Sequence, residues 1–388
     1  MPGLFKCPEP SCSYSAKTKG AITAHANREH GDDPVAKVRA MIPGAPTPGG
    51  AFRMGKPLEA MPSGVPSVDY AIGIGGVPCG TVVEIFGESA SGKSLLAMTF
   101  SAHAQAQGLR AGYMDAERAL QETFVQLVPG LDLHALEYGV PPGEHGDPEP
   151  FDGTGEAALE ATRQFIATSQ FAIWTVDSVA ACVPREEQRR AIGDSASMAA
   201  LAKLMRSGLR VLTPVAERTG TVLVFVNHVT AVPGVKYGRD WSKPAEKTFN
   251  YFASIQLHVT MGTQYFNREG RRIGHEVRVR VHKSKVAAPH AKAAFDLFYS
   301  EDRVVPKPSQ KQVVERDVIP GVDIASSWFS VLQEAGQIGS SGGYVVDLMT
   351  GERLGRALEV KDSLEDEESP LYRRAFEIVY PERFRRQA

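Results

Sequence analysis

Between about residues 56 and 300, short apolar runs alternate with stretches of helical spacing. The runs are TVVEIFG (81–87), RAGYMDA (110–116), FAIWTVDS (171–178), TVLVFVNHV (221–229) and FASIQLHVT (252–260). Continuous apolar strands, each separated from the next by a helix, predict a mostly parallel sheet covered on both faces, hence an α/β core. Residues 141–155 (PPGEHGDPEPFDGTG) have loop composition and break the pattern. Residues 31–55 read as a linker with a short helical patch at 34–42, and residues 1–30 stand apart as a small polar unit. From 301 to 388 the character changes again. Residues 322–338 have helical spacing, 362–368 (DSLEDEE) are acidic, and the end, RRAFEIVYPERFRRQA, is basic. A small α+β C-terminal domain is expected there.

The chain has 388 residues, room for two or three domains. No apolar run is long enough for a transmembrane helix, and MPGLFKCPEPSC has no apolar signal core, so a cytoplasmic setting is expected. The net charge of −2 excludes coating nucleic acid by bulk positive charge, though not a local basic surface. The four cysteines, Cys7, Cys12, Cys79 and Cys182, are too few for a disulfide scaffold.

Gly87-Glu88-Ser89-Ala90-Ser91-Gly92-Lys93-Ser94 is a full phosphate-binding loop, GxxxxGK[ST]. It follows the run TVVEIF and precedes the helical LLAMTFSAHAQAQ, the strand–loop–helix setting the motif needs. The glycines let backbone N–H groups wrap phosphates, Lys93 supplies charge to the outer phosphates, and the Ser94 hydroxyl suits Mg²⁺. Asp177, at the end of FAIWTVD, suits the second Mg²⁺ contact, through water. Glu117, closing YMDAE after the neighbouring strand, is a candidate for orienting the attacking water.

Cys7, Cys12, His25 and His30 have the spacing of a Cys2His2 zinc site. Two thiolates and two imidazoles suit tetrahedral zinc, and a unit this small needs the metal for its folding energy. The segment resembles the ββα zinc-finger family over residues 5–30, with Ala16 where a mid-finger aromatic usually stands. One finger reads about three base pairs, so DNA tethering and binding of a protein partner both stay open.

The larger part resembles the RecA recombinase family over roughly residues 49–338. MPSGVPSVDYAIGIGGVPCGTVVEIFGESASGKS is similar to the family's approach to the phosphate loop, and DAERAL to its catalytic-glutamate segment. VDSVAACVP is similar to its Walker B strand, IGDSASMAALAKLMRSGLR to its first DNA loop and the helix after it. VFVNHV is similar to its sensor strand, and FASIQLHV and VHKSKVAAP to its later strands. The resemblance implies a RecA-like P-loop NTPase core using ATP and Mg²⁺ between protomers of a helical filament on single-stranded DNA. It implies pairing with homologous duplex DNA, and mediator or single-strand-binding proteins as further partners. It also implies that Lys283 and Lys285 reach a neighbour's γ-phosphate, that His228 is the sensor, and that Phe124 stacks on adenine. It implies, too, DNA contacts at Met198, Lys203 and Arg210 around the first loop (185–198). The second loop (229–248) contains Lys236, Tyr237, Arg239, Trp241, Lys243 and Lys247, basic and aromatic residues interleaved as single strands favour.

Several positions depart from the family. His228 replaces glutamine, Gln121 stands at an aspartate position, Pro233 replaces an inserting aliphatic, and Ala245-Glu246-Lys247 lacks the paired glycines. GGAFRMG (49–55) resembles the strand that docks on the next protomer, and the zinc finger is an addition. A phage or other mobile element is the expected source of so divergent a version. Two other functions share the fold class. One is a DNA motor or helicase resembling RadA or DnaB; the other is a DNA-binding scaffold that uses ATP as an assembly switch without hydrolysis.

Overall fold

The computed structural model describes residues 5–6, 13, 15–16, 59–139, 153–189, 198–232, 241–304 and 316–381. The chain divides into two compact units, residues 1–58 and 59–388. In the first, the described backbone forms two short antiparallel strands, Phe5–Lys6 and Ser15–Ala16, with Phe5 opposite Ala16. Cys7, Cys12, His25, His30, the 34–42 patch and the 49–55 segment lie outside the described residues.

The second unit is built on a nine-stranded sheet. Its strands in chain order are β1 (Val82–Gly87), β2 (Arg110–Asp115), β3 (Glu137–Gly139), β4 (Phe171–Asp177), β5 (Val222–His228), β6 (Ile255–Phe266), β7 (Arg272–Ser284), β8 (Lys292–Phe298) and β9 (Gly321–Asp323). Across the sheet the order is β9-β8-β7-β6-β1-β5-β4-β2-β3. The six strands from β6 to β3 are parallel, and β7, β8 and β9 join as antiparallel neighbours. This is the α/β architecture that the resemblance implies, with a mostly parallel centre. The predicted strand at 252–260 starts three residues later, because Phe252 closes a helix, and it runs on to Phe266.

Among the described residues, the helices around or beside the sheet include α1 (Pro66–Ile72), α2 (Lys93–Ala106), α3 (Gly155–Ala167), α4 (Met198–Thr219), α5 (Glu246–Phe252), α6 (Ile324–Glu334) and α7 (Pro370–Val379). Local chemistry sets several of their ends. Pro66 begins α1, where its missing N–H costs nothing, and Gly73 ends it at φ 86°. The Thr154 side chain accepts from Ala157 N at the start of α3, as Asp323 does from Ser326 N at the start of α6.

Strand alternation divides the core. Val83, Ile85, Val224, Val226 and Leu257 face one side with Leu96 and Phe100 of α2. Val82, Phe225 and Trp174 face the other with Ile166 of α3 and Met205 and Leu209 of α4. Residues 316–381 carry a third cluster around Trp328, Leu332, Val345 and Val379. They join the sheet through β9 and through α6, whose Ser326 and Ser330 hydroxyls accept from Asp296 N and Ala294 N of β8. These two N–H groups of β8 are thereby satisfied.

Candidate functional site

The ends of β1, β2, β4 and β5 converge on one cleft of about 390 Å³. Its floor is the phosphate loop between β1 and α2. Gly87 touches β6 so closely that an added Cβ would lie 2.0 Å from the Val259 carbonyl oxygen. Ala90 and Gly92 have positive φ, 57° and 96°. The backbone therefore curls, and Gly92 caps the N-terminus of α2, where N–H groups and the helix dipole favour phosphate. Glu88, Ser89 and Ala90 are exposed on the rim, while Ser91 and Lys93 are buried. The Ser91 hydroxyl and Lys93 Nζ both donate to the Glu88 carbonyl, at 2.9 and 2.6 Å. Burial lowers the Lys93 amine below the ordinary lysine value, against the pull of Asp177, Glu117 and Glu88. A buried cation held by a single carbonyl is primed for an anionic ligand.

Asp177 ends β4, 5% exposed. Tyr113 donates to its Oδ2 at 2.5 Å, and its Oδ1 has no hydrogen-bond partner among the described residues. Burial raises this carboxyl, opposed by the hydroxyls of Ser94 and Tyr113. An orphaned carboxylate oxygen facing a serine hydroxyl is a fitting donor set for Mg²⁺, a hard cation that takes few protein ligands. Ser94 and Asp177 are thus the residues to hold it.

Glu117 stands on the turn after β2, and two features aim it. Its backbone N and that of Ala116 donate to the Asp177 carbonyl at 3.2 and 2.7 Å. Asp115 accepts from Leu120 N at 2.9 Å and from the Tyr138 hydroxyl at 2.8 Å, pinning the turn from behind. Glu117 Oε1 then receives the Ser178 hydroxyl and lies 2.9 Å from His228 Nε2 at the end of β5. These contacts, that of His228 first, hold the Glu117 carboxyl below its ordinary value, so it is an ionised base.

Phe124 and Leu120 also line the cleft. The structure adds lining residues that no motif singled out: Arg272, His275, Leu297 and Tyr299. The Tyr299 hydroxyl bonds His275 Nδ1, and the Arg272 guanidinium lies 5.7 Å from the Tyr299 ring centroid. They come from β7, β8 and the residue after β8, late in the chain. The signal that would have found them is the strand order, which lays β6–β8 beside β1.

The cleft thus gathers Lys93, Ser94, Asp177, Glu117, His228 and Phe124, and it excludes Lys283 and Lys285. Lys283 Nζ donates to the Asn250 and Ala253 carbonyls at 2.6 and 2.7 Å, and Lys285 Nζ to the Tyr251 carbonyl at 3.2 Å. Both bind the C-terminal end of α5, where carbonyls lack helical donors. Burial, with Lys285 nearby, lowers Lys283 to about 8.

The DNA candidates are placed less completely. Met198 opens α4. Lys203 and Arg210 are exposed on α4, with Arg206 between them on the same face. That stripe follows the three-and-four spacing, and Arg206 is its unforeseen member. Lys236, Tyr237 and Arg239 lie outside the described residues. Lys243 corrects its expectation as a loop cation free to meet a strand. Its side chain is fully buried against Glu84, 2.6 Å away. Trp241 packs on Phe86, with ring centroids 5.3 Å apart. Among the described residues no cluster of three or more His, Cys, Asp or Glu is arranged to hold a metal ion, and no helix is long and apolar enough to cross a membrane.

Comparison with known proteins gives the following matches. Residues 50–303 match the RecA N-terminal domain family. Protein RecA of Thermus thermophilus is 34% identical over 289 residues, 73% of this chain and 79% of that protein. Protein RecA of Rhodococcus opacus is 36% identical over 257 residues, 65% of this chain and 70% of that protein. Among solved structures, the crystal structure of the RadB recombinase aligns with a TM-score of 0.45 at 18% identity, covering 62% of this chain and 96% of that one.

Proposed function

The chain belongs to the RecA family, and from that premise we propose that it is an ATP-dependent recombinase that polymerises on single-stranded DNA and exchanges it with a homologous duplex. Its family assigns it a DNA-recombination ATPase role. The observation that carries the fuller reading is the meeting of Lys93, Asp177, Glu117 and His228 in one cleft, with His228 at the root of the second loop.

The chemistry follows from the placement. The loop N–H groups and Lys93 take the outer phosphates, displacing Lys93 from the Glu88 carbonyl. Ser94 and Asp177 would hold Mg²⁺, which would supply charge neutralisation for the phosphates. Glu117 accepts a proton from water as the water oxygen bonds to the γ-phosphorus, the bond to the bridging oxygen breaks and ADP leaves. His228 hydrogen-bonds the same carboxylate, so it reports nucleotide state to the loop that begins after it. Phe124 stacks on the base. Lys283 and Lys285 complete the site of an adjacent protomer, consistent with their lying outside their own cleft. Two cations reaching a neighbour's γ-phosphate make turnover depend on the filament. Met198, Lys203, Arg210, Lys236, Tyr237 and Arg239 contact the strand, and mediator or single-strand-binding proteins load it in the bacterial cytoplasm.

Cys7, Cys12, His25 and His30 would be the residues to hold zinc, as the finger spacing implies. The paired strands Phe5–Lys6 and Ser15–Ala16, just outside the two cysteines, support this. Joint-molecule formation between a circular single strand and a homologous linear duplex tests the proposal. ATP-dependent joints are expected with homologous DNA alone. ATP-driven unwinding of a fork without joints would instead mark a motor.

A further inference from the structure

We infer that Glu84 and Lys243 form a buried anchor that fixes the exit of the second loop to the sheet and thereby sets the position of His228 against Glu117. The role of loop and carboxylate rests on the reading above; the anchor is argued from the packing alone.

Glu84 lies in the middle of β1, on the face that also carries Phe86. It is fully buried, and three donors converge on it. Lys243 Nζ and Gln256 Nε2 approach Oε2 at 2.6 and 2.7 Å, and Asn227 Nδ2 approaches Oε1 at 2.9 Å. Lys243 Nζ also sits 3.8 Å from the Phe86 ring centroid. Two buried charges cost desolvation, and well-packed apolar residues tether a loop at least as firmly. A pair that contributes little net stability but demands one arrangement is suited to fixing geometry.

The geometry it fixes runs to the cleft. Asn227 Nδ2 also donates to the Pro244 carbonyl at 3.0 Å, and Asn227 Oδ1 accepts from His228 N at 3.0 Å. His228 Nε2 is then 2.9 Å from Glu117 Oε1. The same loop is closed beside this network by the pairs Thr230–Ser242 and Ala231–Trp241. Gln256 Nε2 extends it to Asn250 Oδ1 on α5, 3.0 Å away, the helix whose end holds Lys283. Root and exit of the loop are therefore bound to one carboxylate. Glu84 and Lys243 are not among the residues that line the cleft, and they act as positioning residues.

The test compares wild type, K243M and the double variant E84Q/K243M. K243M alone strands a buried carboxylate and is expected to be unstable, so the double variant, neutral on both sides, is the informative one. Two readouts are needed: kcat and KM for ATP with and without single-stranded DNA, and amide hydrogen exchange of residues 241–252 with and without a non-hydrolysable ATP analogue. In the double variant KM should stay within about twofold while kcat with DNA falls about tenfold, a coupling of ordinary size. The nucleotide-dependent change in exchange at 241–252 should disappear with it. A double variant with wild-type kcat and a wild-type exchange response overturns the anchor. Wild-type protein whose 241–252 segment ignores the nucleotide overturns it too. If wild type hydrolyses ATP without regard to DNA, the recombinase reading fails, and the exchange comparison alone then decides the anchor.

Discussion

His228 Nε2 lies 2.9 Å from Glu117 Oε1, joining the end of β5 to the turn after β2. The contact brings together residues 111 positions apart and makes the histidine the chief cause of the lowered Glu117 pKa. A base must be ionised to accept a proton, so hydrolysis falls as pH drops through that lowered value. Removing the histidine moves the loss upward. The acid limb of kcat against pH for His228→Ala should therefore lie at higher pH than for wild type. Coincident limbs would show that the contact does not tune the base.

Glu117→Gln keeps the size and the Ser178 contact but removes the base. Hydrolysis should fall about 10²–10⁴-fold, with nucleotide affinity within a few fold of wild type. Isothermal titration beside a turnover assay separates the two. Equal losses in both would place Glu117 in binding, not in proton transfer.

Lys93 is a desolvated cation whose amine is held below its usual value. A lysine lowered by folding destabilises the folded state below its ordinary pKa, and the penalty shrinks as pH rises towards that value. The nucleotide-free Tm of Lys93→Ala should thus equal or exceed that of wild type. ATP at about 100 times Kd stabilises a binder by ~2.7 kcal/mol, and this gain should vanish in the variant. A variant that still gains Tm from ATP would remove Lys93 from the phosphate site.

Lys283 and Lys285 should matter only to a neighbour's site. The double variant Lys283→Ala/Lys285→Ala should bind ATP normally and turn it over poorly. Mixing it with Lys93→Ala should restore part of the DNA-dependent rate, because one class of interface then holds a complete site. No recovery on mixing would argue against a contribution in trans.

The finger is tested by metal content. Wild type should carry one zinc per chain and Cys7→Ser much less, since a tetrahedral site loses a thiolate. Equal zinc in both would dismiss the site.

The phosphate loop, Asp177 and Glu117 were readable in the sequence because each sits at the end of an apolar strand, where a parallel sheet gathers its ligand groups. His228 and Phe124 needed the family resemblance to be noticed. Tyr299, His275 and Arg272 were not readable, since only the antiparallel joining of β6–β8 carries them to the cleft. Lys243 misled for a different reason. In a loop of lysines and aromatics a cation reads as solvent-facing, and its buried partner Glu84 lies 159 residues away. Of the third core around Trp328, the helix at 322–338 and the α+β class were legible, but not strands such as Ile338–Ser341, which are too short to form apolar runs.

The first measurement is the rate of ATP hydrolysis with and without single-stranded DNA, with Lys93→Ala beside it. Strong stimulation by the strand, abolished in the variant, is expected of a recombinase whose loop and cleft are joined through His228. Hydrolysis indifferent to DNA, or absent, would contradict it and leave a RecA-fold nucleotide binder without the proposed DNA loops.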